Sequence, residues 1–418
     1  MLDAPIKRFF ARTVKQGALT VVYASGETVT YGDGKGVPVT LRFCDWGAVR
    51  AFYLNPALRV GEMYMDGRIR VEEGTLSDYI ALIKRNGFRR HMPLFSKLMV
   101  GVYFGIERLQ NFWRAGSERR QVGHHYDLDA RLYELFLDED WQYTCAYFET
   151  WDETIEEAQL NKKRHVTAKL QAEEGHRVLE MGCGWGGLAL YIAEMTGAHV
   201  TAVTLSSEQV DIAKRRTVAR GLEDRAEFRL QNYRDVEGTF DRVISIGMLE
   251  HVGRGNYDIA FQKTAELLTD DGIAVFHAIG RPSPVLSQGP FNDKYIFPGG
   301  YVPSVAQVYP AIERAGLVVQ DLEILPMHYA KTCRMWLDRF YENWDKAAEL
   351  YDERFCRMWE LYLAASESAF IHDRLMIFQF QISKPGVEGP FGREDIARRK
   401  ANLRALEPDR MTKDVVTL

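Results

Sequence analysis

From Arg177 onward the chain alternates short apolar runs with longer stretches whose apolar residues recur at helical spacing. The pattern predicts a strand at Arg177 to Met181, a helix after Gly186, a strand at His199 to Thr204 and a helix from about Ser206. Further strands are expected near Phe228, Val243 and Ala274. Ser206 or Ser207 suits the N-cap of the second helix, with Glu208 and Gln209 in its first turn. Parallel strands need crossover helices, so repeated β-α units predict a doubly wound α/β sheet covered on both faces. After Gly280 the alternation breaks. A Pro- and Gly-rich insertion (Pro282 to Pro303) precedes a strand near Leu317 to Ile324, a long aromatic helical stretch from Met335 to Phe370, and a terminal strand at Leu375 to Ile382. The tail beyond Pro385 is charged and expected to pack poorly.

Residues 1 to about 80 mix strand-like runs (Ala18 to Tyr23, Val37 to Phe43) with turn-rich spacers, which predicts a smaller α+β domain. Gly32 to Gly36 reads as a hairpin turn and not as a phosphate loop, since no Lys-Ser/Thr follows at the required spacing. Lys84 to Arg120 differs again: nine Lys/Arg against two Glu, interleaved with Phe88, Phe95, Tyr103, Phe104, Phe112 and Trp113. Such a stretch either docks anionic headgroups or is a solvated helix packed on a neighbouring domain. The expected division is residues 1–83 as a lipid-docking domain, 84–123 as a basic aromatic helical linker, 124–385 as the catalytic domain and 386–418 as the tail.

Composition narrows the function. With 418 residues and 46% hydrophobic content the chain can bury substantial cores, and a net charge of -5 gives no global attraction to nucleic acid. Five scattered cysteines without a Cys-x-x-Cys pair fit reduced thiols in the cytoplasm and no structural metal. Met1 to Lys15 is charged throughout, unlike a signal peptide, and no apolar run has transmembrane length.

The chemistry begins at Arg177-Val-Leu-Glu-Met-Gly-Cys-Gly-Trp-Gly-Gly187, where a strand runs into a glycine turn and a helix start. Backbone N–H groups at such a junction approach a ligand closely, although a plain structural turn looks the same in isolation. A dinucleotide site wants an acidic residue about 20 positions on, to grip a ribose hydroxyl. Here the second strand ends in Ala202-Val-Thr-Leu-Ser206, Glu180 precedes the glycines, and Gly182, Gly184 and Gly186 are spaced more tightly than in the dinucleotide motif. These features favour S-adenosylmethionine.

Several separated segments resemble the cyclopropane fatty acid synthase and mycolic acid cyclopropane synthase family. They are His125-Tyr-Asp127, Gln142-Tyr-Thr-Cys-Ala-Tyr147, Glu180 to Gly187, Val203-Thr-Leu-Ser206 with Gln209, Gly247-Met-Leu-Glu-His-Val-Gly253, His277-Ala-Ile-Gly280 and Tyr295-Ile-Phe-Pro-Gly-Gly300. The resemblance runs from about His124 to Ser383 and implies a Rossmann-like class I S-adenosylmethionine methyltransferase domain. The preceding sequence fits the extra N-terminal domain of the phospholipid-modifying members. The resemblance further implies that Gly182, Gly184 and Gly186 border the cofactor, with Glu180 before the turn, and that Tyr143 and Thr144 lie near its methionine end. Thr204 and Gln209 are expected at the ribose, and Gln231 and Asn232 near the adenine; ordinary strand-end capping is the bland alternative for these. A bound bicarbonate acts as base in the family, and the matching positions are Glu250, His277 and Tyr329 with backbone at Cys145 and Ile279.

What the resemblance implies is methylene transfer from S-adenosylmethionine to the cis double bond of an unsaturated phospholipid acyl chain, forming a cyclopropane ring. It further implies a homodimer, cytoplasmic and peripheral to the inner face of the membrane, with no nucleic-acid partner. Methyl or methylene branching without ring closure is the alternative, and a non-catalytic lipid-binding protein or a nucleic-acid methyltransferase are alternatives of other classes. Cys145 as a nucleophile lacks a visible base, His125 and His251 are expected to orient loops, and the stripe Trp336, Phe340, Tyr341, Trp344 reads as core or as an acyl channel.

Overall fold

Leu19 and Val21 alternate with half-exposed threonine and valine in β1 (Ala18–Val22), the period-two pattern of a strand with one covered face. In the computed structural model, which describes residues 3–54, 56–87, 101, 128–253, 255–285, 289–389 and 392–411, two compact units form. The first comprises residues 1–115, 285–298 and 333–374; the second comprises 116–284, 299–332 and 375–418. The basic stretch 84–123 lies almost wholly outside the described residues, as do His125, Tyr126 and Asp127.

In the first unit β1, β2 (Thr28–Gly32), β3 (Pro38–Phe43) and β4 (Ile69–Glu73) form a sheet in the order β2-β1-β3-β4. Phe10, Tyr23, Phe43 and Phe52 fill its core. The hairpin turn expected at Gly32 to Gly36 is not one. β2 pairs with β1 through a turn at Gly26, and β3 then runs parallel to β1 on its other side, so residues 32–36 cross the end of β1. There Asp33 accepts from the Gly17 N–H at 2.8 Å. The aromatic stretch expected as one long helix is three: His328–Glu342, Trp344–Leu350 and Glu353–His372. Trp336 and Phe340 are fully buried, which makes them core.

The second unit is built on β5 (Arg177–Met181), β6 (His199–Thr204), β7 (Ala226–Leu230), β8 (Phe240–Ile246), β9 (Leu268–Gly280), β10 (Val318–Leu325) and β11 (Met376–Ser383). Their order is β10-β11-β9-β8-β5-β6-β7, with β5 to β9 parallel and β11 antiparallel to both its neighbours. The chain builds outward from β5 in one direction through β6 and β7, then returns to place β8 on the other side. That reversal opens a crevice at the carboxyl ends of β5 and β8, where such sheets bind ligands.

The tail does not pack poorly. Arg393–Arg410 is a helix whose buried Ile396 and Leu403 join Ala168, Tyr191 and Met195 in one apolar cluster. Its Glu407 accepts from Arg164 at 2.8 and 2.6 Å and from the Tyr191 hydroxyl at 2.7 Å. The charges that made this segment look solvated are the groups that dock it.

Candidate active site

The glycine turn leaves β5 with Gly182 and Cys183 both donating to the Val203 carbonyl, at 2.9 and 3.1 Å. The helix Gly187–Thr196 begins directly after it. The glycines serve different ends. A Cβ on Gly184 (φ +52°) would meet nothing within 4 Å, whereas one on Gly186 (φ +86°) would lie 2.7 Å from the Phe228 ring and 2.9 Å from Ala213. Gly184 therefore keeps the cleft open, and Gly186 lets the helix seat against the sheet.

A cleft of about 680 Å³, counting its open mouth, is lined by Gly182, Gly184, Thr204, Gln209, Gln231 and Asn232 among others. Six of the residues expected at the cofactor thus come together. Ser206 is the N-cap of the helix Ser207–Ala219 and orients Gln209, whose side-chain oxygen accepts from the Thr204 hydroxyl at 2.7 Å. The Gln209 amide nitrogen is buried without a protein partner, a donor left for a ligand. Asn232 also caps the short turn Tyr233–Asp235, so capping and cleft lining coexist in one residue. Met248, His251 and Val252 form a wall that the sequence did not single out, apart from His251 as a loop-orienting group. Burial lowers His251 to about 4 and keeps the imidazole neutral.

Four expected residues lie outside that lining: Gly186, which packs against Phe228 and Ala213, and Tyr143, Thr144 and Glu180. Tyr143 sits edge-on to Tyr133, whose ring also packs 4.8 Å from Trp185 in the glycine turn. Thr144 lies behind Gly247, where an added Cβ would be 3.6 Å from its methyl group. Glu180 is buried beneath the turn, raised to about 8 by burial, with one carboxyl oxygen unpartnered.

The helix Leu249–Val252 carries Glu250 away from the cleft to the end of β9, where its Oε1 accepts from the Ile279 N–H at 2.7 Å. Its Oε2 is buried without a partner, and burial raises the carboxyl to about 7. His277 lies two residues before Ile279, on the same face of β9, and burial holds its imidazole well below the ordinary range. Gln379 on β11, the register partner of His277, donates its amide N–H to Nδ1 at 3.1 Å, which leaves the imidazole proton on Nε2. Ile279 and Tyr329 are half-buried against a small apolar cluster of Cys145, Leu325 and Ile377. Glu250, Ile279, Cys145 and Tyr329 are thereby linked through Ile279. Burial pushes the Cys145 thiol far up, so it is no thiolate nucleophile.

The sequence missed Gln379 and a polar face of the helix Ile155–Leu170. There Gln159 donates to the Gln142 and Thr144 carbonyls at 3.1 and 2.9 Å, and Lys162 reaches Thr144 Oγ1 at 2.9 Å. Their only sequence signal was polarity inside elements that end up buried.

The mycolic acid cyclopropane synthetase family matches residues 114–380, and a domain of unknown function (DUF7884) matches residues 6–89. The chain is 37% identical to the cyclopropane-fatty-acyl-phospholipid synthase of Escherichia coli K12, over 79% of this chain and 84% of that one. It is 38% identical to a probable fatty acid methyltransferase of Pseudomonas putida, over 68% and 74%. The crystal structure of mycolic acid cyclopropane synthase CmaA1 complexed with SAH and CTAB superposes with a TM-score of 0.61 at 30% identity, over 64% of this chain and 98% of that one. With the cleft at the switch point of the sheet, these matches place the chain in the mycolic acid cyclopropane synthetase family, as an S-adenosylmethionine-dependent methyltransferase of the cyclopropane fatty acid synthase type.

Proposed function

We propose that the chain adds a methylene group from S-adenosylmethionine to the cis double bond of an unsaturated phospholipid acyl chain and closes it to a cyclopropane, with bicarbonate as base. The observation that carries this reading is Glu250: a buried carboxyl with one oxygen anchored on the Ile279 N–H and the other unpartnered, while a neutral His277 stands two residues before Ile279 on β9. The name of the Escherichia coli relative supports a phospholipid acceptor.

The residues present suit both small molecules. The orphaned Gln209 amide and the open space over Gly184 fit an adenosyl ligand in the cleft. The orphaned Glu250 Oε2 fits a bicarbonate hydroxyl, and the His277 Nε2–H and Tyr329 hydroxyl are donors suited to its charged oxygens. When bound, the first supplies an electrophilic methyl group and the second a base for a proton of that group once it is on carbon.

The protein's own part is mostly protective. An alkene is a weak nucleophile, and the cation left after methyl transfer is quenched by any competing nucleophile. Cys145, Leu325 and Ile377 make a buried apolar wall against Ile279 and Tyr329, a surface that offers no place for water. Glu250 and His277 hold opposite ends of a hydrogen-bonding frame: the carboxylate accepts, the Nε2–H donates. The proposal extends to a homodimer on the cytoplasmic membrane face, docked by the N-terminal unit and the basic stretch 84–123; no helix among the described residues is long and apolar enough to cross a membrane. Methyl branching is the second reading, supported by the name of the Pseudomonas putida relative.

The test is turnover of Glu250→Gln and His277→Ala on vesicles of a cis-unsaturated phospholipid. Both variants are expected to lose activity strongly while binding S-adenosylmethionine almost as the parent does. Near-parental turnover in either would remove the base-binding assignment.

A further inference from the structure

Lys162 is a buried ammonium that the reaction as described does not use. It stands on the helix Ile155–Leu170 and is 1% exposed. With Gln159 and Lys163, at the i, i+3 and i+4 spacing of one helix face, it grips the segment 140–144. Gln159 holds the carbonyls of Gln142 and Thr144, Lys163 pairs with Asp140 at 2.6 Å, and Lys162 donates to the Gln142 side-chain oxygen and to Thr144 Oγ1 at 2.9 Å. A backbone tie needs no charge, and Gln159 already supplies that tie. Burial draws Lys162 down to about 8 against the opposing pull of Asp138, Asp140 and Glu180, so the ammonium is kept at a cost.

The donor inventory gives the charge a use. A lysine ammonium only donates, so Thr144 Oγ must accept from it, and the hydroxyl proton of Thr144 points elsewhere. Thr144 lies behind Gly247, a residue that lines the cleft, with its methyl group toward that glycine. We infer that Lys162 is a positioning residue for the cofactor, turning the Thr144 hydroxyl outward as a donor to the carboxylate of the methionine moiety. This rests on the assignment of Thr144 to the methionine end of S-adenosylmethionine.

Calorimetry on the full chain tests it with two ligands: S-adenosylmethionine, and its decarboxylated analogue, which keeps the adenosyl and sulfonium groups. The parent is expected to bind the first more tightly. K162M and T144V should each weaken S-adenosylmethionine on the order of ten- to a hundredfold, leave the analogue unchanged, and show no further loss when combined. A folded K162M that keeps parental affinity, or that loses both ligands equally as a merely structural tie would, overturns the inference. If K162M does not fold, T144V decides, because it keeps the shape and removes only the hydroxyl; unaltered affinity there also overturns it. A parent chain that does not distinguish the two ligands overturns the Thr144 assignment itself.

Discussion

Gln379 offers a test of how His277 is held. Its amide donates to Nδ1 at 3.1 Å in a fully buried position, and that bond keeps the imidazole proton on Nε2. A neutral hydrogen bond of this kind is worth about 1 kcal/mol net, and an orphaned buried nitrogen costs about 1–3 kcal/mol. Gln379→Leu removes the donor with little change of volume, so both tautomers become populated. Turnover should fall about two- to fivefold, and the melting temperature by a few degrees. Gln379→Glu is the sharper perturbation. A carboxylate accepts from Nδ1–H, moves the proton off Nε2, and leaves a lone pair where a donor is needed. Although this variant keeps a hydrogen bond to the ring, turnover should fall about ten- to a hundredfold, the worth of one donor to a charged group. The assay is initial rate on phospholipid vesicles at alkaline pH, with S-adenosylmethionine affinity measured in parallel and expected to be unchanged. A Glu variant as active as the parent, or more active than the Leu variant, would refute the tautomer argument.

Other consequences follow from the same geometry. Burial raises Glu250 from 4.5 to about 7, so the folded state holds a proton that the unfolded chain releases; its contribution to stability is complete below about pH 4.5 and is lost as pH rises through about 7. Denaturation of the parent and of Glu250→Gln across this window should give curves that converge or cross as pH rises, the difference between them isolating Glu250 from Asp138 and Glu180, whose values near 6 and 8 overlap. A constant difference would falsify the burial argument. Gly186→Ala should destabilise by about 2–4 kcal/mol in urea, since its Cβ meets Phe228 and Ala213 at positive φ, whereas Gly184→Ala should cost about 1–2 kcal/mol and mainly weaken S-adenosylmethionine. Equal stability losses would contradict the division of labour between the two glycines. Glu407→Ala leaves Arg164 buried without its bidentate partner and should cost about 3–5 kcal/mol, against almost nothing if the terminal helix were loosely attached.

The doubly wound sheet was legible because its strands are short apolar runs bounded by turns, and the strand at Arg177 to Met181 stands as expected. The terminal helix was not, because its docking depends on partners more than 200 residues away, as between Arg164 and Glu407. The same holds for the helix Ile155–Leu170, whose run Asn161 to His165 reads as a solvated face yet is buried throughout. The charges of Lys163, Arg164 and Lys169 are matched by Asp140, Glu407 and Glu323, which no local pattern connects to the helix. In the site, Gly182, Gly184, Thr204 and Gln209 declared themselves through local motifs that also line the cleft. Gln379 did not. The alternation Phe378-Gln-Phe-Gln-Ile382 resembles a strand with one wet face, yet both faces are buried, and on the glutamine face Gln381 donates to the Lys169 carbonyl of the helix Ile155–Leu170 at 2.6 Å.

The most direct test of the proposed reaction is the isotopic composition of its product. The chain is incubated with vesicles of a cis-unsaturated phospholipid and S-adenosylmethionine bearing a fully deuterated methyl group, and the released fatty acids are analysed by mass spectrometry and proton NMR. Ring closure requires that the newly transferred group surrender one deuteron to the base, so a cyclopropane lacking one deuteron and retaining no double bond is expected. A methyl branch that keeps every deuteron, or a methylene branch at a saturated carbon, would contradict the reading of Glu250 and His277 as the frame for ring closure.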